Sequence, residues 1–195
     1  MLKGSIVALI TPFEGENLSE DTYIKLINYH LVNGTNGIVP GGTTGESPTL
    51  SHNEHKKIIE ITVKECKGKI PVIAGTGSNS TDEAIELSKY AEEAGSDALL
   101  VVTPYYNKPT QEGLYQHYKK TNDNVGIPII IYNIPSRSVI DMSVDTMTKL
   151  YELKNIKGVK DATGDLNRVD QQKAKMGNEF IQLTGNDDNA LEFNK

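Results

Sequence analysis

The chain offers very little sulfur chemistry: Cys66 is the only cysteine among 195 residues. One cysteine excludes an internal disulfide and a cysteine-built metal cluster, and makes a reducing cytoplasm the simplest compartment. Long apolar runs are missing too. No stretch approaches the roughly 18 apolar residues of a membrane-spanning helix, so no membrane partner is expected. The opening residues, Met1-Leu2-Lys3-Gly4-Ser5, lack the apolar block and small-residue cleavage site of a secretory signal, which again points to the cytoplasm. Basic charge is in deficit, with 20 Lys and Arg against 26 Asp and Glu and a formal net charge of −6. Nucleic acid and anionic membrane both need a basic footprint, so neither is expected as a partner. A dinucleotide fingerprint is lacking as well. The first turn, Thr11-Pro12-Phe13-Glu14-Gly15, carries no GxGxxG, and Gly75-Thr76-Gly77-Ser78 is too weak a match.

What the chain does have is a repeating alternation of short apolar run, turn, amphipathic helix and glycine. Strands are expected at Ser5–Thr11, Gly37–Gly41, Pro71–Gly75, Ala98–Thr103, Pro128–Asn133, Ile156–Asp161 and Phe180–Thr184. They are rich in Ile and Val and do not alternate with polar residues, which suits a parallel sheet covered on both faces. Helices are expected at Ser19–Val32, Ser51–Lys67, Thr81–Ala94, Gln111–Asn124, Val144–Lys154 and Leu166–Met176. Ser51-x-x-Glu54 and Ser80-x-x-Glu83 read as capping boxes. In the second helix Ile58, Ile59, Thr62, Val63 and Cys66 share one face, so Cys66 reads as core.

Strands alternating with helices give an α/β fold, and polar residues after nearly every strand favour a (β/α)8 TIM barrel over a doubly wound sheet. Such a barrel takes eight strands and about 250 residues. The chain stops at Asp187–Lys195, at what reads as the start of a seventh helix. The expectation is therefore an incomplete barrel, one domain over 1–195 with about seven βα units. Its eighth strand and C-terminal helices would lie in a longer reading frame.

The strand ends carry the candidate chemistry. Gly158-Val159-Lys160-Asp161-Ala162-Thr163-Gly164 sets a lysine at the end of an apolar run. Burial disfavours the ammonium form, and a fold bears that cost where a neutral amine must attack a carbonyl. The alternative is a lysine whose stem snorkels out at a rim. Gly41-Gly42-Thr43-Thr44-Gly45-Glu46-Ser47 can cradle a carboxylate with backbone N–H groups and hydroxyls, or be a plain glycine loop. Tyr132 can carry a proton if its hydroxyl is desolvated, and Arg137, past a proline turn, can grip a carboxylate or form a surface ion pair. In Thr103-Pro104-Tyr105-Tyr106-Asn107 one tyrosine can line a pocket while its neighbour faces an interface, or both can simply pack. Gly185, in Leu183-Thr184-Gly185-Asn186-Asp187-Asp188, allows close approach of a ligand, and the paired aspartates suit a helix start.

Taken together, Gly41–Ser47, Thr103–Asn107, Tyr132-Asn-x-Pro-Ser-Arg137 and Gly158–Gly164 resemble the 4-hydroxy-tetrahydrodipicolinate synthase (dihydrodipicolinate synthase) family of class I Schiff-base pyruvate aldolases. The likeness runs over the whole chain. It implies condensation of pyruvate with L-aspartate 4-semialdehyde in lysine and diaminopimelate biosynthesis, without metal or organic cofactor, by a homotetramer built as a dimer of dimers. The four histidines, His30, His52, His55 and His117, form no ligand pair at a strand end, in keeping with this. By resemblance Lys160 forms the imine, and Tyr132, Thr44 and Tyr106 of the partner subunit relay protons. Thr43 and Thr44 lie near the pyruvate carboxylate, Gly185 lies close to the substrate, and Arg137 binds the carboxylate of the semialdehyde. Positions resembling a feedback site for L-lysine are Ser47, Pro48, His52, His55, Asn79, Glu83 and Tyr105. Ser138-Val139-Ile140 departs from the pattern in lacking a glycine just after the arginine. The alternatives are a sialic acid or keto-deoxy sugar acid lyase of the same superfamily, or an inactive fragment.

Overall fold

The apolar runs form short strands and the patterned segments between them form helices, in a computed structural model that describes residues 2–194. Met1 and Lys195, the ends of the single domain expected over 1–195, lie outside the described residues. Contacts group the described residues into two units, one running up to Thr76 and taking in Glu86–Leu100, the other comprising Gly77–Ile85 and the chain from Val101 onward.

The first unit begins with β1 (Ile6–Ala8), β2 (Phe13–Glu14), β3 (Asn17–Leu18), α1 (Glu20–Val32), β4 (Gly37–Val39), α2 (His52–Cys66) and β5 (Ile73–Gly75). β1 runs parallel to β4, with Ile6 opposite Gly37, and Ile38 of β4 bridges in parallel to Val72. The chain then passes through α3 (Thr81–Ala94) to β6 (Ala98–Val102), whose first residues pair in parallel with β5. Side chains from α1, α2 and the strands close a core of Leu9, Tyr23, Ile27, Ile38, Ile58 and Cys66. Cys66 is fully buried there, and burial pushes its thiol up to about 11, so it stays protonated and inert. Tyr23 reaches the same core because its hydroxyl is matched to Thr62 Oγ1 at 3.1 Å.

The second unit contains α4 (Gln111–Asn124), β7 (Ile129–Asn133), α5 (Pro135–Ser138), α6 (Val144–Tyr151), β8 (Ile156–Asp161), α7 (Asn167–Met176), β9 (Ile181–Thr184) and α8 (Ala190–Phe193). β7, β8 and β9 run parallel in that order. Ile129, Ile130 and Ile131 are wholly buried, as expected for strands covered on both faces.

Several bounds differ from the sequence reading. The expected first turn at Thr11–Gly15 is the near arm of a hairpin, in which Phe13 pairs with Leu18 and Gly15 takes φ +63°, a conformation glycine adopts without steric cost. The strand expected over Ser5–Thr11 is cut to Ile6–Ala8; Leu9 still donates to Val39 O at 3.0 Å, but Ile10 turns outward at 51% exposure. α6 stops at Tyr151 rather than Lys154. Leu153 N–H closes back onto Leu150 O at 2.9 Å, and Asn155 is captured by Asn122 and Val125, which starts the chain into β8. α5 has no apolar period and is set by Pro135 at its first turn. The Asp187-Asp188 pair does open a helical segment, a single 3-10 turn leading into α8. The capping box at Ser51 is complete, with Glu54 N–H to Ser51 Oγ at 3.3 Å and Ser51 N–H to Glu54 Oε2 at 2.8 Å. At Ser80, Glu83 N–H reaches Ser80 Oγ at 3.4 Å, while Ser80 N–H turns to Ser78 Oγ and the Ser78 hydroxyl donates to the Glu83 carboxylate.

Candidate active site

The candidate chemistry of the second unit lies at the end of β8. Ile129 of β7 stands opposite Ile156, but Ile130 stands opposite Gly158, so Lys157 is an extra residue on β8. A bulge of this kind re-aims every side chain beyond it. Here it brings Lys160 into register with Tyr132 and Asp161 into register with Asn133. Gly158 is needed in the bulge, since a Cβ there would stand 2.2 Å from Ile181 O. Val159 is buried, Lys160 half-buried and Asp161 buried, so Lys160 and Asp161 leave the strand on opposite faces.

Lys160 Nζ lies 4.5 Å from the centroid of the Tyr132 ring, and Tyr132 is itself buried. On the other side Lys160 is level with Leu183 of β9, two residues before Gly185. A Cβ on Gly185 would come within 2.6 Å of Ala162 Cβ and 3.3 Å of Lys160 Cε, so only glycine leaves the lysine stem this space. Burial pulls the Lys160 amine below its ordinary value, and the Asp187 carboxylate offsets part of that. The amine is thus biased toward its nucleophilic form, while the aromatic face supports a cation formed on the same nitrogen. Lys160, Tyr132 and Gly185 are the expected residues that the structure brings together in this unit.

Arg137 sits exposed on α5, its N–H bonded to Ile134 O at 3.0 Å. The residue two positions on, Val139, takes φ +66° at 63% exposure, a conformation rare for a β-branched side chain. Tyr105 is half-buried, whereas Tyr106 is 87% exposed at φ +72°. The two tyrosines thus differ in exposure, but the backbone at Tyr106 is left-handed rather than the extended chain on which the sequence argument rests. Asn79 and Glu83 are half-buried on the same unit, with Asn107 Nδ2 donating to Asn79 O at 3.1 Å.

In the first unit the Gly41–Ser47 loop is shaped by backbone contacts. A Cβ on Gly75 would stand 2.3 Å from Gly41 O, and one on Gly45 would stand 2.8 Å from Leu9 O. Thr11 Oγ1 donates to Gly45 O at 2.8 Å. The loop leaves Thr43 half-buried and Thr44 exposed, with Glu46 at φ +58°. His55 is buried beneath it, its Nε2 2.7 Å from Gly75 O. His52, one helical turn earlier, is exposed, as is Pro48, and Ser47 is half-buried. The two histidines thus have different surroundings, and His55 braces the loop.

Sequence reasoning missed the side chains behind Lys160. Asp161, Arg168, Gln172, Asn133 and Asp141 form a connected, largely buried set of hydrogen bonds and ion pairs. Gly158 inside the strand run is the signal that the sequence offers for the bulge; Arg168 sits in a polar helix where nothing in the pattern sets it apart. Among the described residues, no group of three or more His, Cys, Asp or Glu is arranged to hold a metal ion. No helix of the described residues is long and apolar enough to cross a membrane.

The whole chain, residues 1–195, matches the profile of the Dihydrodipicolinate synthetase family. A 4-hydroxy-tetrahydrodipicolinate synthase of Pelagibacter ubique is 74% identical over 194 residues, covering 100% of this chain and 66% of the relative. A crystal structure of the chloride-inhibited dihydrodipicolinate synthase of Acinetobacter baumannii, complexed with pyruvate, superposes with a TM-score of 0.96 at 47% identity, covering 99% of this chain and 67% of that one. The enzyme of Cyanidioschyzon merolae with lysine bound gives a TM-score of 0.94 at 36% identity, covering 97% and 65%. The chain spans about two thirds of the length of the curated relatives it matches, 66% and 64% for the first two. Its fold class is that of these barrels, α/β with parallel strands, represented here by the part of the barrel the chain covers. The chain belongs to the dihydrodipicolinate synthase family.

Proposed function

We propose that the protein containing this chain is a cytoplasmic lyase that condenses pyruvate with L-aspartate 4-semialdehyde in lysine and diaminopimelate biosynthesis. In this reading the 195 residues belong to a single barrel domain, of which the relatives carry more. The observation that carries the reading is a half-buried lysine at a strand end, depressed toward the neutral amine and lying over a buried tyrosine ring.

In the reaction, neutral Lys160 Nζ attacks the pyruvate carbonyl carbon, and loss of water leaves a protonated imine. The cation then lies over the Tyr132 ring, an interaction worth about 0.5–2 kcal/mol. The imine draws electrons from the adjacent methyl group, a proton leaves, and an enamine forms. The enamine carbon attacks the aldehyde, whose oxygen takes up a proton. The substrate amine adds to the imine carbon and expels Lys160 Nζ, giving the heterocycle 4-hydroxy-tetrahydrodipicolinate and restoring the free amine. Protons move through Tyr132, Thr44 and Tyr106 of the partner subunit, a role the exposure of Tyr106 leaves open to it. Thr43 and Thr44 receive the pyruvate carboxylate, and Arg137 receives that of the semialdehyde through its two-pronged donor fork. Gly185 leaves room for substrate beside the lysine stem.

The assembly proposed is a homotetramer, and L-lysine is the proposed feedback ligand at Ser47, Pro48, His52, His55, Asn79, Glu83 and Tyr105. The lysine-bound relative supports that reading. Borohydride trapping with pyruvate on the full-length protein tests the chemistry. A mass increase mapping to Lys160, absent in Lys160→Ala, is expected; an adduct that survives the substitution overturns the assignment.

A further inference from the structure

Lys160 and Asp161 leave β8 on opposite faces, and what Asp161 holds bears on the chemistry at Lys160. Asp161 Oδ1 accepts the Thr163 backbone N–H at 3.0 Å and its hydroxyl at 2.7 Å. Oδ2 accepts Arg168 Nε at 2.8 Å and Gln172 Nε2 at 2.9 Å. Arg168, 8% exposed, donates onward through Nη2 to Met142 O at 2.8 Å and through Nη1 to the Asp141 carboxylate at 3.4 Å. From the β7 side, Asn133 donates to Asp141 Oδ1 at 2.7 Å and accepts Met142 N–H at 3.0 Å. Asp141–Met142 is therefore pinned twice, to the residue after Lys160 and to the residue after Tyr132.

Between Asn133 and Asp141 the chain makes a single excursion, and Arg137 rides on it. Its neck is closed by the Ser138 hydroxyl, which lies 2.9 Å from Ile134 O and 3.0 Å from Ile140 O. A buried guanidinium–carboxylate pair is seldom more stable than well-packed apolar side chains of the same volume. What it does supply here is fixed geometry: three donors of one rigid plane are each committed to a different partner.

We propose that Arg168 is a positioning residue, which sets where Arg137 stands relative to the Lys160 amine. It thereby selects, as second substrate, short aldehydes carrying a carboxylate at a fixed reach from the carbonyl. This deepens the proposed function and rests on it.

The test uses the full-length protein with Arg168→Lys, Asp141→Asn, Arg137→Ala and the Arg168→Lys/Arg137→Ala double variant. Lysine keeps the charge and loses the fork. In Arg168→Lys, pyruvate trapping at Lys160 is expected to stay within about threefold of native, while KM for aspartate semialdehyde rises about tenfold with kcat little changed. Because Arg168 acts through Arg137, adding Arg168→Lys to Arg137→Ala is expected to change that KM by no more than about twofold. Asp141→Asn keeps the Asp161–Arg168 pair and is expected to raise the same KM about threefold, which covers the case in which Arg168→Lys fails to fold. Equal losses in trapping and aldehyde KM, a fall in Tm with both KM values unchanged, or multiplying losses with Arg137→Ala would each overturn the positioning role. An Arg137→Ala variant with unaltered aldehyde KM would remove the role of Arg137 and the positioning role with it, while leaving the Lys160 chemistry standing. A native protein that gives no pyruvate adduct is a different result, which removes the proposed function itself.

Discussion

The Gly41–Ser47 loop and the end of β8, both proposed to meet substrate, are held in shape by different means. The loop is built from backbone: the carbonyl oxygens of Leu9 and Gly41 approach so closely that side chains are excluded at Gly45 and Gly75 respectively. The strand end is built from side chains, with Lys160 presented on one face and Asp161 anchored by four hydrogen bonds on the other. A backbone-built loop keeps its shape when outward-facing side chains change and loses it when a Cβ is added. A side-chain-built site fails when one buried partner is removed and its charge is stranded.

Four substitutions break or sharpen that contrast. The largest effect is expected for Asp161→Ala, which strands the Arg168 guanidinium and should cost about 3–5 kcal/mol in denaturant unfolding. Gly75→Ala puts a methyl group 2.3 Å from Gly41 O and should cost about 1–3 kcal/mol, with KM for pyruvate raised because the loop must shift. If Gly75→Ala is instead neutral, the loop is not the close-packed backbone structure described. Val139→Gly releases a valine from φ +66° and should stabilise by about 1 kcal/mol in the same unfolding experiment. The smallest effect belongs to Lys160→Met, which removes a desolvated amine and keeps its apolar stem. The folded-state value of Lys160 lies below the unfolded 10.5, so the unfolded chain binds more protons between the two and native stability rises with pH there. The variant should therefore be slightly more stable than native at neutral pH, with the advantage fading as pH climbs toward 10.5 in a series of thermal melts.

The same contrast explains what is legible in the sequence. The loop announces itself because close backbone approach leaves a local trace, glycines at Gly41, Gly42 and Gly45. Lys160, Tyr132 and Gly185 are legible because each ends an apolar run, and a strand end is a position that pattern reading finds. The Asp161–Arg168–Asp141 connection is not legible. Its members come from a strand, a helix and a loop, and each alone is an ordinary charged residue. The bulge at Lys157 also escapes a reading by runs, because one extra residue leaves the run intact while reversing which face Lys160 takes. α5 is too short to show a period, and the Phe13–Leu18 hairpin has only two paired residues per arm. Helices with buried positions at helical spacing over several turns, such as α3 and α4, match their expected bounds because repeated contact outweighs any single residue.

In the proposed reaction, burial at the end of β8 is what makes Lys160 a nucleophile. The most direct measurement is the pH dependence of the initial rate of borohydride trapping with pyruvate at Lys160 in the full-length protein. The neutral amine reacts, so the rate should rise with pH and level off with a midpoint below the ordinary 10.5, and Asp187→Asn, which removes the opposing carboxylate, should move that midpoint lower still. A midpoint at or above the ordinary value, unmoved by Asp187→Asn, would contradict it.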